Sequence, residues 1–328
     1  MKALVIDGPG QPPRLAERPM PQRTAGTTLV RTLAAPLNPI DFAVAAGTFY
    51  GGHPPYPYVP GNEVVGSVVE SDRWPVGLTV WAGGGGSGTA RDGGVAEYAL
   101  AADSQIEPIP DGFDPALAGA LGQAGLTGWL AATWRGRVSA SDRVLVLGGT
   151  GAVGRTAVQA ARLAGAVRIV AAGREASSLE TLRDAGAHEV VALGGLSPSA
   201  PRRELAERFS QALGGDGPDL IIDPLWGTPA AAAVDAAAPG ARLVQLGQSA
   251  GGDSTLPSAA IRGKQLEVLG FSILAAPVEV RSAGYAALCK AALEGEIQLP
   301  FARYGLQDAA SGWAAHGSAN SRKVVITP

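Results

Sequence analysis

The sequence predicts an α/β fold: a doubly wound parallel sheet joined to a second, mainly β domain. Three observations predict it. Between about residues 143 and 272, short β-branched runs alternate with amphipathic helical patterns, as parallel strands covered by helices on both faces do. Residues 1 to about 121 instead carry short apolar runs between Gly- and Pro-rich turns. At the head of the alternating region, Val144–Leu147 leads into Gly149-x-Gly151-x-x-Gly154 and at once into an Ala-rich helical pattern.

Taken in order, the first domain offers Ala3–Ile6, Thr28–Leu33, Val64–Val69 and Ala96–Leu100 as short strands. The alternating region predicts strands at 143–147, 167–172, 188–192, 219–223, 242–246 and 266–272. Its helices are predicted at 153–164, 176–185, 202–213 and 228–237. From about Ala275 helical patterns continue up to a last strand that opens at Lys323. That strand is placed to return to the first domain, which would then comprise 1–121 completed by 273–328, around a second domain at 122–272.

Composition narrows the function. A chain of 328 residues suits about two domains. At 46% hydrophobic it fills a sizeable core, and its 17% charged residues fall below the ~25% of an average protein. A net charge of −3 without a basic stripe argues against nucleic acid as a partner. There is no apolar run of the ~18 residues that suggests a membrane span. Met1–Asp7 already reads as a strand, so a signal peptide is not expected. The single cysteine, Cys289, excludes an internal disulfide framework and fits a reducing, cytoplasmic setting.

The glycine turn carries the strongest chemical signal. A strand, a tight turn and a helix N-terminus are what a dinucleotide pyrophosphate needs: unpaired N–H groups and the positive end of the helix dipole face the phosphates, and glycines allow close approach. Among 46 glycines the bare pattern would say little; the strand before it and the helix after it supply the context. Gly149, Thr150, Gly151, Ala152, Val153 and Gly154 are therefore the expected cradle. NAD sites hold an acidic residue at the end of the second strand, about 20 residues further on. Here Gly173 stands there, with Arg174 beside it as a forked donor for a 2′-phosphate. This favours NADPH over NADH. Glu175 is the alternative acid if the turn differs by one residue, and Arg174 the alternative of a solvated surface charge.

End to end, the chain resembles zinc-free medium-chain dehydrogenase/reductases of the quinone oxidoreductase and enoyl reductase branch. The resemblance rests on Leu37-Asn-Pro-Ile-Asp41, Pro60-Gly-Asn-Glu-Val-Val-Gly66, Gly93-Gly-Val-Ala-Glu-Tyr98, Gly125-Leu-Thr-Gly128, the glycine turn, Asp219-Leu-Ile-Ile-Asp223 and Gly240-Ala-Arg-Leu-Val-Gln-Leu-Gly247. It implies a GroES-like catalytic domain wrapped around a Rossmann domain, with the active site in the cleft between them. It further implies a homodimer paired along the last Rossmann strand, near Leu266–Ser272. By the same resemblance the nicotinamide lies against Thr127, and Gly247, Gln248, Phe271 and Ser272 close over it. Ser178 stands where many relatives carry a lysine, and Leu193 where they carry a tyrosine. Asn38 and Asp41 face the ring. Asn38 is suited to orient the carboxamide or a substrate carbonyl, while Asp41 has an equal alternative as a turn-stabilising side chain. Asn62 and Glu63 have structural alternatives, Glu63 paired with a buried arginine.

Zinc-dependent relatives place a Cys before the Asp of the first motif and a His inside Gly-His-Glu. This chain has Asn38 and Asn62 there. A structural zinc needs four clustered ligands, mostly thiolates, whereas Cys289 stands alone and His53, His188 and His316 have no ligand-like spacing. The expectation is a metal-free enzyme acting on a small molecule. Without a Lewis acid, reduction of a quinone or an activated double bond is favoured over alcohol oxidation. Enoyl reductases of this type place a tyrosine shortly after a glycine. In Gly47-Thr-Phe-Tyr-Gly51, Phe49 holds that register and Tyr50 follows it; a one-residue loop difference restores Tyr50 as the phenolic general acid. Tyr56 and Tyr58, among Pro55, Pro57 and Pro60, read as rigid walls. The alternatives are a zinc-free ketone or alcohol dehydrogenase and a non-catalytic NADPH-binding sensor or nucleic-acid-binding relative.

Overall fold

The computed structural model describes residues 1–194, 201–316 and 322–328. The chain divides into two compact units. One comprises Met1–Ala124, Val278–Leu293 and Leu299–Pro328, the other Gly125–Pro277 and Glu294–Gln298. The sequence placed the divisions after 121 and after 272 and gave everything beyond to the first domain. Glu294–Gln298 lies with the second unit because its backbone is bonded there. Gln159 accepts from the Gln298 N–H (2.7 Å) and donates to its carbonyl (3.0 Å), and Arg162 donates to the carbonyl of Glu296 (2.7 Å).

In the second unit, six parallel strands form one sheet in the order Glu189–Ala192, Arg168–Gly173, Arg143–Leu147, Leu220–Asp223, Arg242–Gln245, Glu267–Gly270. Numbered along the chain this is 3-2-1-4-5-6, the order of a doubly wound dinucleotide fold. Period-two alternation explains its two covered faces. Val144, Val146, Ile169 and Ala171 pack into one core and Leu145, Leu147, Val170 and Ala172 into the other. Each such buried valine, leucine or isoleucine stabilises by about 1.5–3 kcal/mol. Helix Ala152–Leu163 buries Gly154, Ala157, Val158 and Ala161, an i, i+3, i+4, i+7 stripe, and gives way at Gly165 with φ +77°. Its small residues permit close packing: a Cβ on Gly128 of helix Leu126–Leu130 would sit 2.1 Å from the Val153 carbonyl oxygen.

The first unit is built on Thr27–Pro36, which pairs antiparallel with Glu63–Glu70, Tyr98–Ala102 and the last strand, Lys323–Thr327. Phe301–Gly305 runs parallel to that last strand at the sheet's edge. Helix Pro39–Ala45 follows the central strand directly. Among the described residues no helix is long and apolar enough to cross a membrane.

Candidate active site

All six strands of the parallel sheet end at the same edge, where ligands of open α/β sheets bind. The glycine turn lies there. Gly148 takes φ +62°, and Gly151 caps helix Ala152–Leu163 without a side-chain bond, so the first helical N–H groups have no side-chain acceptor. The two later glycines serve different ends. A Cβ on Gly154 would stand 2.3 Å from the Gly148 carbonyl oxygen and 2.7 Å from Gly149 Cα, so the turn itself forbids it. A Cβ on Gly151 would meet only the Gly148 oxygen at 3.5 Å. The protein does not require glycine at 151; an approaching phosphate would. Thr150 and Gly151 are exposed, Ala152 and Val153 half-buried. Thr127 is half-buried beside the turn, placed there by the packing of Gly128 on Val153.

Gly173 closes the second strand and is buried, its missing Cβ within 3.1 Å of Leu179 and 3.2 Å of Thr150. A carboxylate side chain would be crowded there. Arg174 and Glu175 are both exposed, and Ser178 is half-buried on helix Ala176–Asp184. After the fifth and sixth strands come Gly247 and Phe271, half-buried, and Gln248 and Ser272, exposed. Phe271 meets Trp134 edge-on with ring centroids 6.0 Å apart. The sequence did not single out Asp223 for this edge. Its Oδ1 accepts the N–H groups of Leu225 and Trp226 (2.9 Å each), holding Trp226 at φ +60°. Its Oδ2 is buried without a partner among the described residues, and desolvation lifts its pKa to about 6 against those two bonds. The loop so fixed passes Gly247, whose Cβ would come within 2.6 Å of the Pro224 carbonyl oxygen.

In the first unit the Asn-Pro and Gly-Asn-Glu motifs meet in one buried network. Glu63 accepts from Asn38 Nδ2 (2.6 Å), Trp81 Nε1 (2.7 Å) and the Gln123 N–H (2.7 Å). Its cation is not an arginine, as the sequence suggested, but Lys323, 3.6 Å away on the last strand. Lys323 also donates to the Leu37 carbonyl (2.9 Å) and to Asn38 Oδ1. Burial pulls the Lys323 ammonium down from its usual range, and Glu63 and Asp41 act against that. Both oxygens of Asp41 are engaged, by the N–H groups of Asn38 (2.7 Å) and Asn62 (2.8 Å). That is the turn-bonding arrangement, and it ties the two motifs together. Burial raises the Asp41 pKa to about 6, opposed by those bonds and by Lys323. Asn62 Nδ2 donates to the Ser87 carbonyl (3.0 Å). Sequence reasoning missed Lys323, Trp81 and Gln123. The available signal was a lysine opening an otherwise apolar strand.

Tyr50 is 94% exposed, its ring 4.5 Å from that of Phe49. Tyr56 and Tyr58 pack at 5.6 Å, and both hydroxyls are buried without partners among the described residues. Desolvation lifts the Tyr58 phenol above its ordinary range. No three His, Cys, Asp or Glu side chains gather as metal ligands among the described residues. Asn38 is bonded at both ends of its amide, and Asn62 only through Nδ2, its Oδ1 being buried without a partner among the described residues. Two neutral amides are not the thiolate, imidazole or carboxylate set that zinc takes.

Two family descriptions match the chain: "Alcohol dehydrogenase GroES-like domain" over residues 24–111 and "Zinc-binding dehydrogenase" over 152–286. The chain is 28% identical to human quinone oxidoreductase, over 91% of this chain and 88% of that protein. It is 31% identical to a phenolphthiocerol/phthiocerol polyketide synthase subunit of Mycobacterium tuberculosis, over 99% of this chain and 15% of that much longer protein. Among solved structures it matches the quinone oxidoreductase of Thermus thermophilus, described also in complex with NADPH, at 27% identity. The match covers 100% of this chain and 99% of that one, with a TM-score of 0.81.

Proposed function

This chain belongs to the medium-chain dehydrogenase/reductase family as an NAD(P)-dependent oxidoreductase, and on that premise we propose that it reduces quinones or α,β-unsaturated carbonyls with NADPH. The observation that carries the reading is the pair Asn38 and Asn62. Where zinc relatives have ligands, this chain has amides: Asn38 is bonded at both ends and Asn62 through its Nδ2. An amide N–H such as that of Asn38 is suited to stabilise an oxyanion rather than to hold a metal.

The residues divide the work. Gly149 through Gly154 receive the pyrophosphate, Gly173, Arg174 and Ser178 the adenosine end with its 2′-phosphate, and Thr127, Gly247, Gln248, Phe271 and Ser272 the nicotinamide. When bound, the cofactor supplies a hydride from C4. An enone would take the hydride at its β-carbon and a quinone at one carbonyl oxygen. The displaced electron pair would come to rest on the enone's carbonyl oxygen or the quinone's other one, where Asn38 donates an N–H. Asp41 keeps that loop in place. For an enone, Tyr50 gives its hydroxyl proton to the α-carbon and recovers one from water; a hydroquinone anion takes its proton from water directly. A second copy of the chain pairs along Glu267–Gly270, the exposed edge of the parallel sheet, where Val268 is 43% exposed. The buried thiol Cys289 suits a reducing cytoplasm.

NADPH oxidation with 1,4-benzoquinone, trans-2-hexenal and cyclohexanone in parallel tests the reading. Turnover is expected with the first two, unaffected by chelator. Turnover with the ketone alone, or loss of activity on chelation, overturns it. Arg174→Ala should weaken NADPH more than NADH, by about 1.5–3 kcal/mol for a charged hydrogen bond; NADH binding tighter than NADPH in the parent defeats that assignment. Tyr50→Phe should slow the enal by about 10²–10⁴ and the quinone far less. Equal enal rates, with a deuterated cofactor showing hydride transfer to be rate-limiting, would remove Tyr50 from the mechanism.

A further inference from the structure

Asn38 is gripped along one edge of its amide by two opposite charges. Lys323 Nζ donates to Oδ1, Nδ2 donates to Glu63 Oε1 at 2.6 Å, and the two charged groups stand 3.6 Å apart, 4% and 0% exposed. An Asn amide is nearly symmetric in shape, so packing alone discriminates poorly between its two orientations. These charges discriminate strongly. Turned over, the amide would present its N–H groups to an ammonium and its oxygen to a carboxylate. The arrangement is also a costly one to choose for stability alone, since a buried ion pair replaced by apolar groups of similar volume is often neutral or stabilising. Glu63 needs no lysine to complete its bonds, having Trp81 Nε1 and the Gln123 N–H besides Asn38. What Lys323 adds is the direction of Asn38: one amide hydrogen is committed to Glu63, and the other has no partner among the described residues.

We propose that Lys323 is a positioning residue for the reduction: with Glu63 it locks the Asn38 amide in the single orientation that presents its second N–H to the substrate oxyanion. The inference rests on the reading of Asn38 as the oxyanion donor, and it assigns a role to a residue 285 positions away.

The test measures kcat, KM and NADPH affinity with 1,4-benzoquinone for Asn38→Ala, Lys323→Met, Lys323→Arg and the combination Asn38→Ala/Lys323→Met. Lys323→Met should lower kcat by about 10- to 100-fold, the cost of misdirecting one group in an otherwise intact site. KM and NADPH affinity should stay within about twofold. Lys323→Arg, which keeps the charge, should recover most of the loss. Because Lys323 acts through Asn38, the combined variant should be no slower than Asn38→Ala alone. Should Lys323→Met fail to fold, Lys323→Met/Glu63→Gln removes both charges and is expected to show the same kcat loss. A folded Lys323 variant with parental kcat beside a slow Asn38→Ala overturns the role of Lys323 and leaves that of Asn38 standing, as do losses that multiply in the combined variant. Parental kcat in Asn38→Ala overturns the Asn38 reading itself, and the inference with it.

Discussion

The glycine turn and the Asn38 network are built in opposite ways. The turn is contiguous, Gly148 to Gly154, and works through backbone N–H groups and missing side chains. The network is assembled from Asn38, Glu63, Trp81 and Lys323, and works through side-chain charge and direction. One, on the proposed reading, omits side chains where a pyrophosphate would lie. The other buries charges to hold an amide still. The turn should therefore be sensitive to volume and indifferent to charge, and the network sensitive to any unbalanced charge and tolerant of balanced replacements.

The largest expected effect tests the second half of that contrast. Lys323→Met leaves Glu63 buried and uncompensated, which should cost about 3–5 kcal/mol of stability. Lys323→Met/Glu63→Gln should recover most of it, because the remaining groups are neutral and the new side-chain amide still offers an oxygen to Trp81 and to the Gln123 N–H. Urea unfolding of both variants checks this. A double variant as unstable as the single one would show that packing, not charge balance, governs the network.

Next comes volume in the turn. Gly151→Val adds a branched side chain where the nearest protein atom to a Cβ is 3.5 Å away, so the fold should survive. Affinity for NADPH should fall by at least about 100-fold, near 3 kcal/mol. Gly154→Val, with its Cβ at 2.3 Å from a carbonyl oxygen, should lose stability as well. Undiminished NADPH binding in folded Gly151→Val would place the dinucleotide elsewhere and dissolve the comparison.

The same contrast decides what could be read in advance. Strand Arg143–Leu147 falls where the sequence put it, and helix Ala152–Leu163 lies within one residue of its expected bounds. Both signals are local, a β-branched run and a 3.6-residue period ending in glycine. The last Rossmann strand, expected over 266–272, is only Glu267–Gly270: at the sheet edge its side chains are mostly exposed, so apolarity does not mark its ends. The network was legible only in halves. Asn38 and Glu63 sit in recognisable motifs, but the cation between them comes from the far end of the chain. No period or spacing encodes a partner 285 residues away; the pairing Val325↔Pro36 and Ile326↔Ala35 creates it. The effect of burial on Asp41 and Asp223 was equally out of reach, since desolvation depends on what packs around a carboxyl group.

The smallest expected effect concerns a histidine at the margin of the network. His316 stacks on Phe42, rings 4.3 Å apart and 7° from parallel, and its Nδ1 is buried without a partner among the described residues. Burial, helped by the charge of Lys323, depresses its pKa from 6.5 to about 4. The folded protein thus keeps the ring neutral over a range in which the unfolded chain protonates it. Its contribution is fully present above pH 6.5 and is lost as the pH falls toward 4, by on the order of 2–3 kcal/mol. Asp41 and Asp223 act with the opposite sign. Their folded pKa values, about 6, lie above the ordinary 3.8, so they favour the folded state at low pH and cease to as the pH rises through 6. The parent's overall pH profile therefore blends opposing effects and would not isolate the histidine. The difference between the parent and His316→Gln does, because the carboxyl groups are common to both. Urea unfolding from pH 7.5 to 4.5 should show the parent losing stability relative to His316→Gln as the pH falls. Parallel curves across that window would mean that His316 titrates alike in the folded and unfolded chains, and that the charge on Lys323 is not felt beyond the amide it holds.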